Sequence, residues 1–327
     1  MVELTSKDLL AWSGHNLEIE SQRMQNRLWT LDIGRRPTGD PEMIPAQFEY
    51  QAPATLDEAL ALLAANPDDA KILAGGHSLI PAMKLRLAQP GMLVDIGRVK
   101  DLAYIREEND RIAIGAMTTH YAIESSELLK KICPLLPECG SRIGDVQVRN
   151  RGTIGGSLAH SDPAGDWPAA IIALNAEIVA VSANGERVIK ADDFFVDFLT
   201  TALDAGEILR EIRIAKPGGS FGHAYEKVPH PASGFAVVGV AVDLRKRTDG
   251  ACESVSVGIT GVGSKAYRAS AVERALNDQQ LNEETIAAAA SHATDGVDAN
   301  SDLYASEDYR RHLAKVYTKR AITRAAA

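Results

Sequence analysis

The feature that most constrains this chain is a pair of glycine motifs that share one pattern. The apolar stretch Ile72–Ala74 predicts a short strand, and it leads directly into the first motif, Ala74–Leu79, with its Gly-Gly pair and following serine. Residues without a Cβ let the backbone N–H groups of a turn approach an anion closely. The second motif, Thr153–Ser157, repeats Gly-Gly followed by a hydroxyl. One such pair alone is more often a simple tight turn, but two loops suit a diphosphate, with one loop for each face.

Neither motif matches the common nucleotide-binding patterns. Neither ends in Gly-Lys-Ser/Thr as a Walker A loop does, and neither has the G-x-G-x-x-G spacing. The range Gly261–Ser264 comes nearest to that spacing but lacks the third glycine, so we interpret it as a turn. Two acids that follow the second motif, Asp162 and Asp166, would repel a phosphate. We expect them either to bind hydroxyl or ring N–H groups of a ligand, or to cap the helix predicted at Trp167–Leu174.

Composition excludes several classes of function. The formal net charge is −9 and no block of Lys and Arg forms a stripe, so we expect no nucleic-acid binding. Three cysteines without a C-x-x-C pair argue against a disulfide framework, a zinc ribbon or an iron–sulfur cluster held by this chain alone. No apolar run reaches about 18 residues and no secretory signal pattern is present, so we expect a cytoplasmic protein without a transmembrane segment.

No pattern predicts a catalytic residue or a metal site. The histidines, His120 among them, form no i, i+4 metal pair. Neither Ser78 nor Ser157 lies in a G-x-S-x-G elbow, which argues against a hydrolase. His160 and Asp162 resemble half of a site, but hydrogen bonding within a loop is the more ordinary role for such a pair. The sequence therefore predicts a binding protein for a phosphorylated cofactor without its own acid–base apparatus.

The chain divides into three parts. Residues 1–42 are polar and weakly periodic and end in a proline-containing, linker-like stretch, so we expect an N-terminal extension before a fold that starts near Met43. Residues 43–217 alternate helix and strand patterns. Pro217–Gly219 marks the predicted boundary, and residues 218–327 predict a β-sheet layered with helices.

Local signals place several elements within these parts. Thr55 and Glu58 form the N-cap and N3 positions of a capping box, which predicts a helix that ends near Asn66. Asn184-Gly185 between two apolar stretches predicts a hairpin with a type I′ turn.

Several segments in order carry a resemblance to a known family. The first motif continues to Lys84 and is followed by Leu93–Ile96, by Ile114–Thr119 and then by the second motif. In this order and spacing the chain resembles the FAD-binding medium subunit of the molybdenum hydroxylases, the xanthine dehydrogenase family, and most of all the branch of aerobic carbon monoxide dehydrogenase. The resemblance extends from about Met43 to the C-terminus.

The resemblance implies an α+β fold: a vanillyl-alcohol-oxidase-type (PCMH-type) FAD-binding domain of two subdomains, followed by a C-terminal α+β domain of the carbon monoxide dehydrogenase flavoprotein type. It implies FAD as the cofactor and two partners, a large molybdopterin-binding subunit that oxidises the substrate and a small subunit with [2Fe–2S] clusters. The FAD would accept electrons from the small subunit and pass them to an external acceptor. Such heterotrimers usually pair into dimers, and a peripheral location at the inner membrane through the complex stays open.

The resemblance also assigns cofactor-binding roles. Asp166 matches an acid that binds the sugar portion of FAD, and Leu209 matches an apolar wall of the flavin or adenine. Lys227 matches a lysine beside the isoalloxazine, where a cation stabilises an anionic reduced flavin. Ile143 matches a hydrophobic contact near the ring. The pyrophosphate and neighbouring parts of FAD are assigned to the two motifs, that is, to Ala74, Gly75, Gly76, His77, Ser78, Leu79, Thr153, Ile154, Gly155, Gly156 and Ser157.

Two positions depart from the family pattern. Ser157 stands where an asparagine is usual, although it keeps a hydrogen-bonding group. Residues 229–234 lack the basic residues and the acid that often follow the lysine, so quinone, cytochrome, NAD and oxygen all stay open as the electron acceptor. Carbon monoxide is the first expectation for the substrate of the complex, with purines, N-heterocycles and aldehydes as alternatives. A stand-alone FAD-dependent alcohol oxidase and an assembly subunit that has lost its flavin are two further alternatives.

Overall fold

Four sheets organise residues 43–216 and 221–327, the part of the chain that this computed structural model describes. The predicted extension at 1–42 and the predicted boundary at Pro217–Gly219 lie outside the described residues. The strands are β1 (Glu49–Gln51), β2 (Ala70–Leu73), β3 (Met92–Asp95), β4 (Ile105–Glu107), β5 (Arg111–Gly115), β6 (Glu177–Ser182), β7 (Gly185–Lys190), β8 (Phe195–Asp197), β9 (Thr200–Thr201), β10 (Ile208–Ala215), β11 (Phe221–Pro229), β12 (Ala236–Lys246), β13 (Cys252–Thr260) and β14 (Tyr267–Arg268).

Helices connect and cover these sheets. They are α1 (Leu56–Ala65), α2 (Leu79–Lys84), α3 (His120–Glu124), α4 (Glu127–Ile132), α5 (Leu135–Ser141), α6 (Val146–Arg151), α7 (Ile154–His160), α8 (Asp166–Ala173), α9 (Ala191–Phe194), α10 (Ser270–Leu276), α11 (Glu283–Ala290) and α12 (Glu307–Ala326), with short 3₁₀ helices at Ile96–Arg98 and Lys100–Leu102. Within the described ranges, no helix combines the length and the apolar character needed to cross a membrane.

The first sheet is small and parallel, in the order β1-β3-β2. Helix α1 precedes β2, as β-α-β connections between parallel strands require. Its predicted capping box is confirmed, because the Thr55 hydroxyl accepts from Glu58 N and the Glu58 carboxylate accepts from Thr55 N. Leu60 and Leu63 on the buried face of α1 share a hydrophobic core with Val94 of β3. This sheet delivers the first glycine motif at the end of β2.

The second sheet is antiparallel, in the order β4-β5-β10-β6-β7. A large hydrophobic core lies beside this sheet. Its helical residues come from α3, α4, α5, α7, α8 and α9 and include Trp167 and Phe194. The predicted hairpin at Asn184-Gly185 is confirmed in place, but the predicted turn type is wrong. A type I′ turn needs positive φ at both central residues, whereas Ser182 pairs with Gly185 and Asn184 does not have a positive φ. The left-handed residue is Gly185, at φ 119°, one position after the turn.

The third large sheet is antiparallel, in the order β11-β12-β13-β14. Helix α12 packs against β11 and β12, and α8 from the preceding domain packs against β12 and β13. Gly258 permits the approach of α8, because a Cβ on it would overlap the carbonyl group of Ala169. Helix α8 therefore joins the FAD-binding part of the chain to the C-terminal sheet. The mixture of helices and sheets confirms the expected α+β class.

Candidate cofactor-binding site

The first motif forms a turn between β2 and α2 whose backbone donors have no acceptor in the described part of the chain. Gly76 has a φ of 78°, in the left-handed region that glycine adopts without strain. None of the N–H groups of residues 75–79 donates a hydrogen bond to another described residue, and the Ser78 hydroxyl has no such partner either. His77 is exposed and holds its Nδ1 3.0 Å from the carbonyl oxygen of Gly75. Consecutive free N–H groups of this kind form a concavity that suits phosphate oxygens.

The second motif has a different structure from the one expected. Residues 154–160 form helix α7, and Thr153 is its N-cap. Every backbone N–H of the motif after Thr153 donates within the protein: Ile154 to Thr118 O at 3.0 Å, Gly155 to Ala116 O at 2.9 Å, Gly156 to Thr153 Oγ1 at 3.1 Å and Ser157 to Thr153 O at 3.0 Å. The expectation of two equivalent loops is therefore wrong for the backbone donors. The Ser157 hydroxyl has no hydrogen-bond partner among the described residues and is the polar group that this motif leaves available.

The glycines of the second motif serve close packing. A Cβ on Gly155 would lie 2.5 Å from the Cβ of Ala116, and a Cβ on Gly156 would lie 2.8 Å from Thr153 Oγ1. The same Cβ on Gly156 would lie 3.4 Å from the Cβ of Ala74. The two motifs are therefore neighbours in space, with the open turn of the first against the closed helical turn of the second.

Asp166 and Lys227, which the resemblance assigned to different parts of FAD, contact each other. Lys227 Nζ lies 2.8 Å from Asp166 Oδ1 and 2.9 Å from Oδ2, and it also donates to Arg142 O at 2.9 Å. The Tyr225 hydroxyl donates to Asp166 Oδ1. Asp166 and Lys227 are 5% and 4% exposed. Burial raises the pKa of Asp166, while Lys227 and Tyr225 act in the opposite direction.

The loop before Asp166 is shaped by its own polar groups. Asp162 Oδ1 accepts from Ala164 N at 2.8 Å, and the N-cap of α8 is Gly165, so Asp166 is the first helical residue and not the cap. His160, the last residue of α7, holds its Nε2 3.9 Å from Asp162 Oδ2, which is too far for a hydrogen bond. The alternative of a helix cap is therefore wrong for both acids.

The C-terminal sheet holds this loop in place. The Thr260 hydroxyl, fully buried, lies 2.7 Å from Pro163 O and 2.8 Å from Gly165 O. Two backbone donors bind the same loop, Ala236 N to Ala164 O at 3.0 Å and Gly261 N to Pro163 O at 2.7 Å. Residues on both sides of the predicted domain boundary therefore build the surroundings of Asp166.

Ile143 and Leu209 both belong to the large core, Leu209 as a buried member and Ile143 as a partly buried residue packed against it. Ile143 is partly buried, and it follows Arg142, whose carbonyl accepts from Lys227. Leu209 is 5% exposed in β10, opposite Ala180. Ile143 therefore lies one residue from the carbonyl that binds Lys227, whereas the side chain of Leu209 is part of the core. The FAD contacts assigned to all these residues stay predictions.

Sequence reasoning missed the role of His120, which it weighed only as a metal ligand. Trp167 Nε1 donates to His120 Nδ1 at 3.0 Å, and both side chains are buried. Burial lowers the pKa of His120 to about 4, so the imidazole is neutral at physiological pH. The available signal was the position of His120 next to Thr119, which caps α3 and pairs with Thr153.

Comparisons with known proteins match both the FAD-binding part and the C-terminal part of this chain. The family model "FAD binding domain in molybdopterin dehydrogenase" matches residues 46–217, and "CO dehydrogenase flavoprotein C-terminal domain" matches residues 223–325. The carbon monoxide dehydrogenase medium chain of Hydrogenophaga pseudoflava is 41% identical over 86% of this chain and 98% of that protein. The glyceraldehyde dehydrogenase medium chain of Sulfolobus acidocaldarius is 37% identical over 85% of this chain and 98% of that protein. A solved structure of carbon monoxide dehydrogenase from Hydrogenophaga pseudoflava superposes with a TM-score of 0.84 at 43% identity, over 86% of this chain and 98% of that one.

The chain therefore belongs to the family of FAD-binding domains of molybdopterin dehydrogenases, as the FAD subunit of a molybdenum hydroxylase. Its C-terminal domain is that of the carbon monoxide dehydrogenase flavoproteins. The resemblance read from the motifs, FAD as the cofactor and the class of oxidoreductase subunit are confirmed.

Proposed function

We propose that this chain carries electrons through FAD, from [2Fe–2S] clusters of a small subunit to an external acceptor, while a large molybdopterin-binding subunit oxidises the substrate. The observation that carries the proposal is the row of N–H groups at residues 75–79, none of which donates a hydrogen bond to another residue that the structure describes. Relatives that are medium chains of dehydrogenases, matched over nearly their whole length, support the place in a complex.

The residues of the two motifs would hold the cofactor in unequal ways. The N–H groups of residues 75–79 and the Ser78 hydroxyl would donate to the pyrophosphate oxygens. The Ser157 hydroxyl would supply one further hydrogen bond from the second motif, whose own backbone N–H groups already donate within the protein. FAD itself supplies the redox chemistry, so this chain needs to bind, orient and shield it and provides no general acid or base.

The Asp166–Lys227 pair sets the electrostatics beside the proposed flavin position. Because Asp166 lies 2.8 Å from Lys227 Nζ, a flavin nearby meets a neutral ion pair and not an isolated cation. The three N–H donors of Lys227 are matched by two carboxylate oxygens and the carbonyl of Arg142. A direct contact of Lys227 with FAD therefore requires one of these hydrogen bonds to be exchanged.

The visible absorption spectrum of the purified chain tests cofactor binding. We expect oxidised-flavin bands after purification or after incubation with FAD, and a colourless chain that binds no added FAD would contradict the proposal.

Affinity purification from native cells then tests the complex. We expect one molybdenum-containing and one iron–sulfur polypeptide in equal amounts, at the mass of a dimer of heterotrimers. Recovery of the chain alone with its flavin would favour the stand-alone alcohol oxidase.

We propose carbon monoxide as the substrate of the complex, because carbon monoxide dehydrogenase medium chains are among its relatives at 41% identity. Two relatives at 37% identity, a glyceraldehyde dehydrogenase medium chain and a subunit of a 6-hydroxypseudooxynicotine dehydrogenase, rank their substrate classes equally as second candidates. Substrate-dependent reduction of an artificial dye by the isolated complex separates them. A panel of carbon monoxide, glyceraldehyde, xanthine and an N-heterocycle should give turnover with carbon monoxide alone.

A further inference from the structure

Trp167 fixes His120 in one orientation beneath the second motif. Trp167 Nε1 donates to His120 Nδ1 at 3.0 Å, and the ring centroids are 5.8 Å apart. Because Nδ1 accepts this bond, the neutral imidazole carries its proton on Nε2. With 4% and 0% of their surfaces exposed, the two side chains have little freedom to reorient.

His120 in turn fixes Gly152. The backbone N–H of His120 donates to Gly152 O at 3.0 Å. A Cβ on Gly152 would lie 2.6 Å from His120 Nε2 and 2.8 Å from its Cδ2. The imidazole therefore fills the space that any other residue at position 152 would need, and it sets how far this backbone segment can move toward the core.

Gly152 in turn supports the first motif. A Cβ on Gly75 would overlap the carbonyl oxygen of Arg151 and would lie 2.9 Å from Gly152 Cα. The open turn thus rests directly on the backbone of residues 151–152. Trp167, His120, Gly152 and Gly75 form a continuous stack from the core to the free N–H groups.

We propose that His120 is a positioning residue for the first motif, which it orients through Gly152. The direction of the N–H groups at residues 75–79 depends on where Gly75 rests, and Gly75 rests on a segment that the imidazole holds. This inference depends on the proposed function, because it takes these N–H groups as the ligands of the FAD pyrophosphate. It adds a residue outside both motifs to the determinants of FAD affinity.

Titration of the deflavinated full-length chain with FAD tests the stack through a pair of complementary substitutions. Gly152→Ala introduces the Cβ that meets His120, and His120→Ala removes the ring. We expect each single variant to raise the FAD dissociation constant about tenfold. In the His120→Ala background, Gly152→Ala should have a much smaller effect, since both ring contacts are then absent and only the 3.1 Å approach to Val148 O remains. His312→Ala, at an exposed histidine of α12, is the matched control and should bind FAD as the wild type does.

Trp167→Phe provides a milder variant in case His120→Ala does not fold. It removes the hydrogen-bond donor and keeps an aromatic ring, and we expect a several-fold loss of FAD affinity. The melting temperature of each FAD-free variant is measured in parallel. A lower melting temperature with an unchanged dissociation constant would show a core histidine only and would overturn the inference, as would strictly additive effects of Gly152→Ala and His120→Ala. If the wild-type chain itself binds no FAD, the proposed function fails first and the inference falls with it.

Discussion

The two glycine motifs look alike in sequence and are used in opposite ways. In the first motif, none of the N–H groups of residues 75–79 donates to a residue within 43–216 or 221–327. In the second motif, all four N–H groups after Thr153 donate hydrogen bonds within the protein. A Gly-Gly pair followed by a hydroxyl therefore does not by itself indicate an anion site. What decides is whether a side chain such as Thr153, or a neighbouring strand end such as Ala116, already accepts from the donors.

This difference predicts which substitutions change the stability of the FAD-free chain and which change its affinity for FAD. Groups on the closed side, around the second motif and Asp166, have partners inside the protein, so their removal destabilises the FAD-free chain. Groups on the open side have no partner among the described residues, so their removal weakens cofactor binding and leaves the FAD-free fold almost unchanged.

The largest effect is expected on the closed side, from Lys227→Met. It leaves Asp166 buried without its counter-charge, which costs about 3–5 kcal/mol of folding free energy in comparable cases. Urea denaturation of the FAD-free chain measures this loss. The double variant Asp166→Asn/Lys227→Met should recover part of the lost stability. If Lys227→Met alone were as stable as the wild type, the Asp166–Lys227 ion pair would not contribute to the stability of the FAD-free chain.

A pH-dependent effect is expected from His120, also on the closed side. Its pKa is about 4 in the folded chain against an ordinary value of 6.5, so protonation favours the unfolded chain. Its stabilising contribution is complete above pH 6.5 and is lost as the pH falls toward 4, by roughly 3 kcal/mol at most. Asp243, whose pKa burial raises to about 6, acts in the opposite sense. The free energy of unfolding of wild type minus His120→Phe, followed from pH 7 to pH 4, isolates the histidine, and a flat difference would contradict this assignment.

On the open side, Gly76→Val tests where the pyrophosphate binds. Valine at a φ of 78° is strained by about 1–3 kcal/mol, and its Cβ would lie 2.7 Å from Ile80 Cδ1. We expect the turn to change conformation and the flavin content to fall at least tenfold. Gly206→Val is the matched control, with a φ of 81° and no atom within 4 Å of its Cβ. Equal flavin content in Gly76→Val and wild type would show that the pyrophosphate does not bind at this turn.

The smallest effects give the sharpest contrast, because two hydroxyl deletions should have opposite readouts. Thr153→Ala removes an N-cap and should cost about 1 kcal/mol of stability in the FAD-free chain. Ser78→Ala removes a hydroxyl without a described partner, so it should leave the melting temperature of the FAD-free chain unchanged and weaken FAD binding several-fold. A loss of stability from Ser78→Ala that matches that from Thr153→Ala would remove the distinction between the two motifs.

Local sequence signals predicted local structure well, because caps and turns depend on residues a few positions apart. The capping box at Thr55 and the end of its helix near Asn66 are confirmed. The contact of Asp166 with Lys227 could not be predicted, since it spans 61 positions and forms only where α8 packs against the C-terminal sheet. The helical second motif was missed for a related reason. Two glycines disfavour a helix by propensity, but the Thr153 cap and the close approach to Ala116 outweigh that cost.

The anchoring of loop 162–165 by Thr260, Gly261 and Ala236 has a consequence for how such chains can evolve. The two family matches meet near residue 220 and suggest two exchangeable modules. The geometry argues otherwise, because the threonine hydroxyl has one proton and two carbonyl oxygens to share it between, and both belong to the other half. A chimaera joined near residue 220 would take loop 162–165 from one parent and the Thr260 hydroxyl that binds it from the other. Inheritance of the two halves as a single piece is thus the expected course.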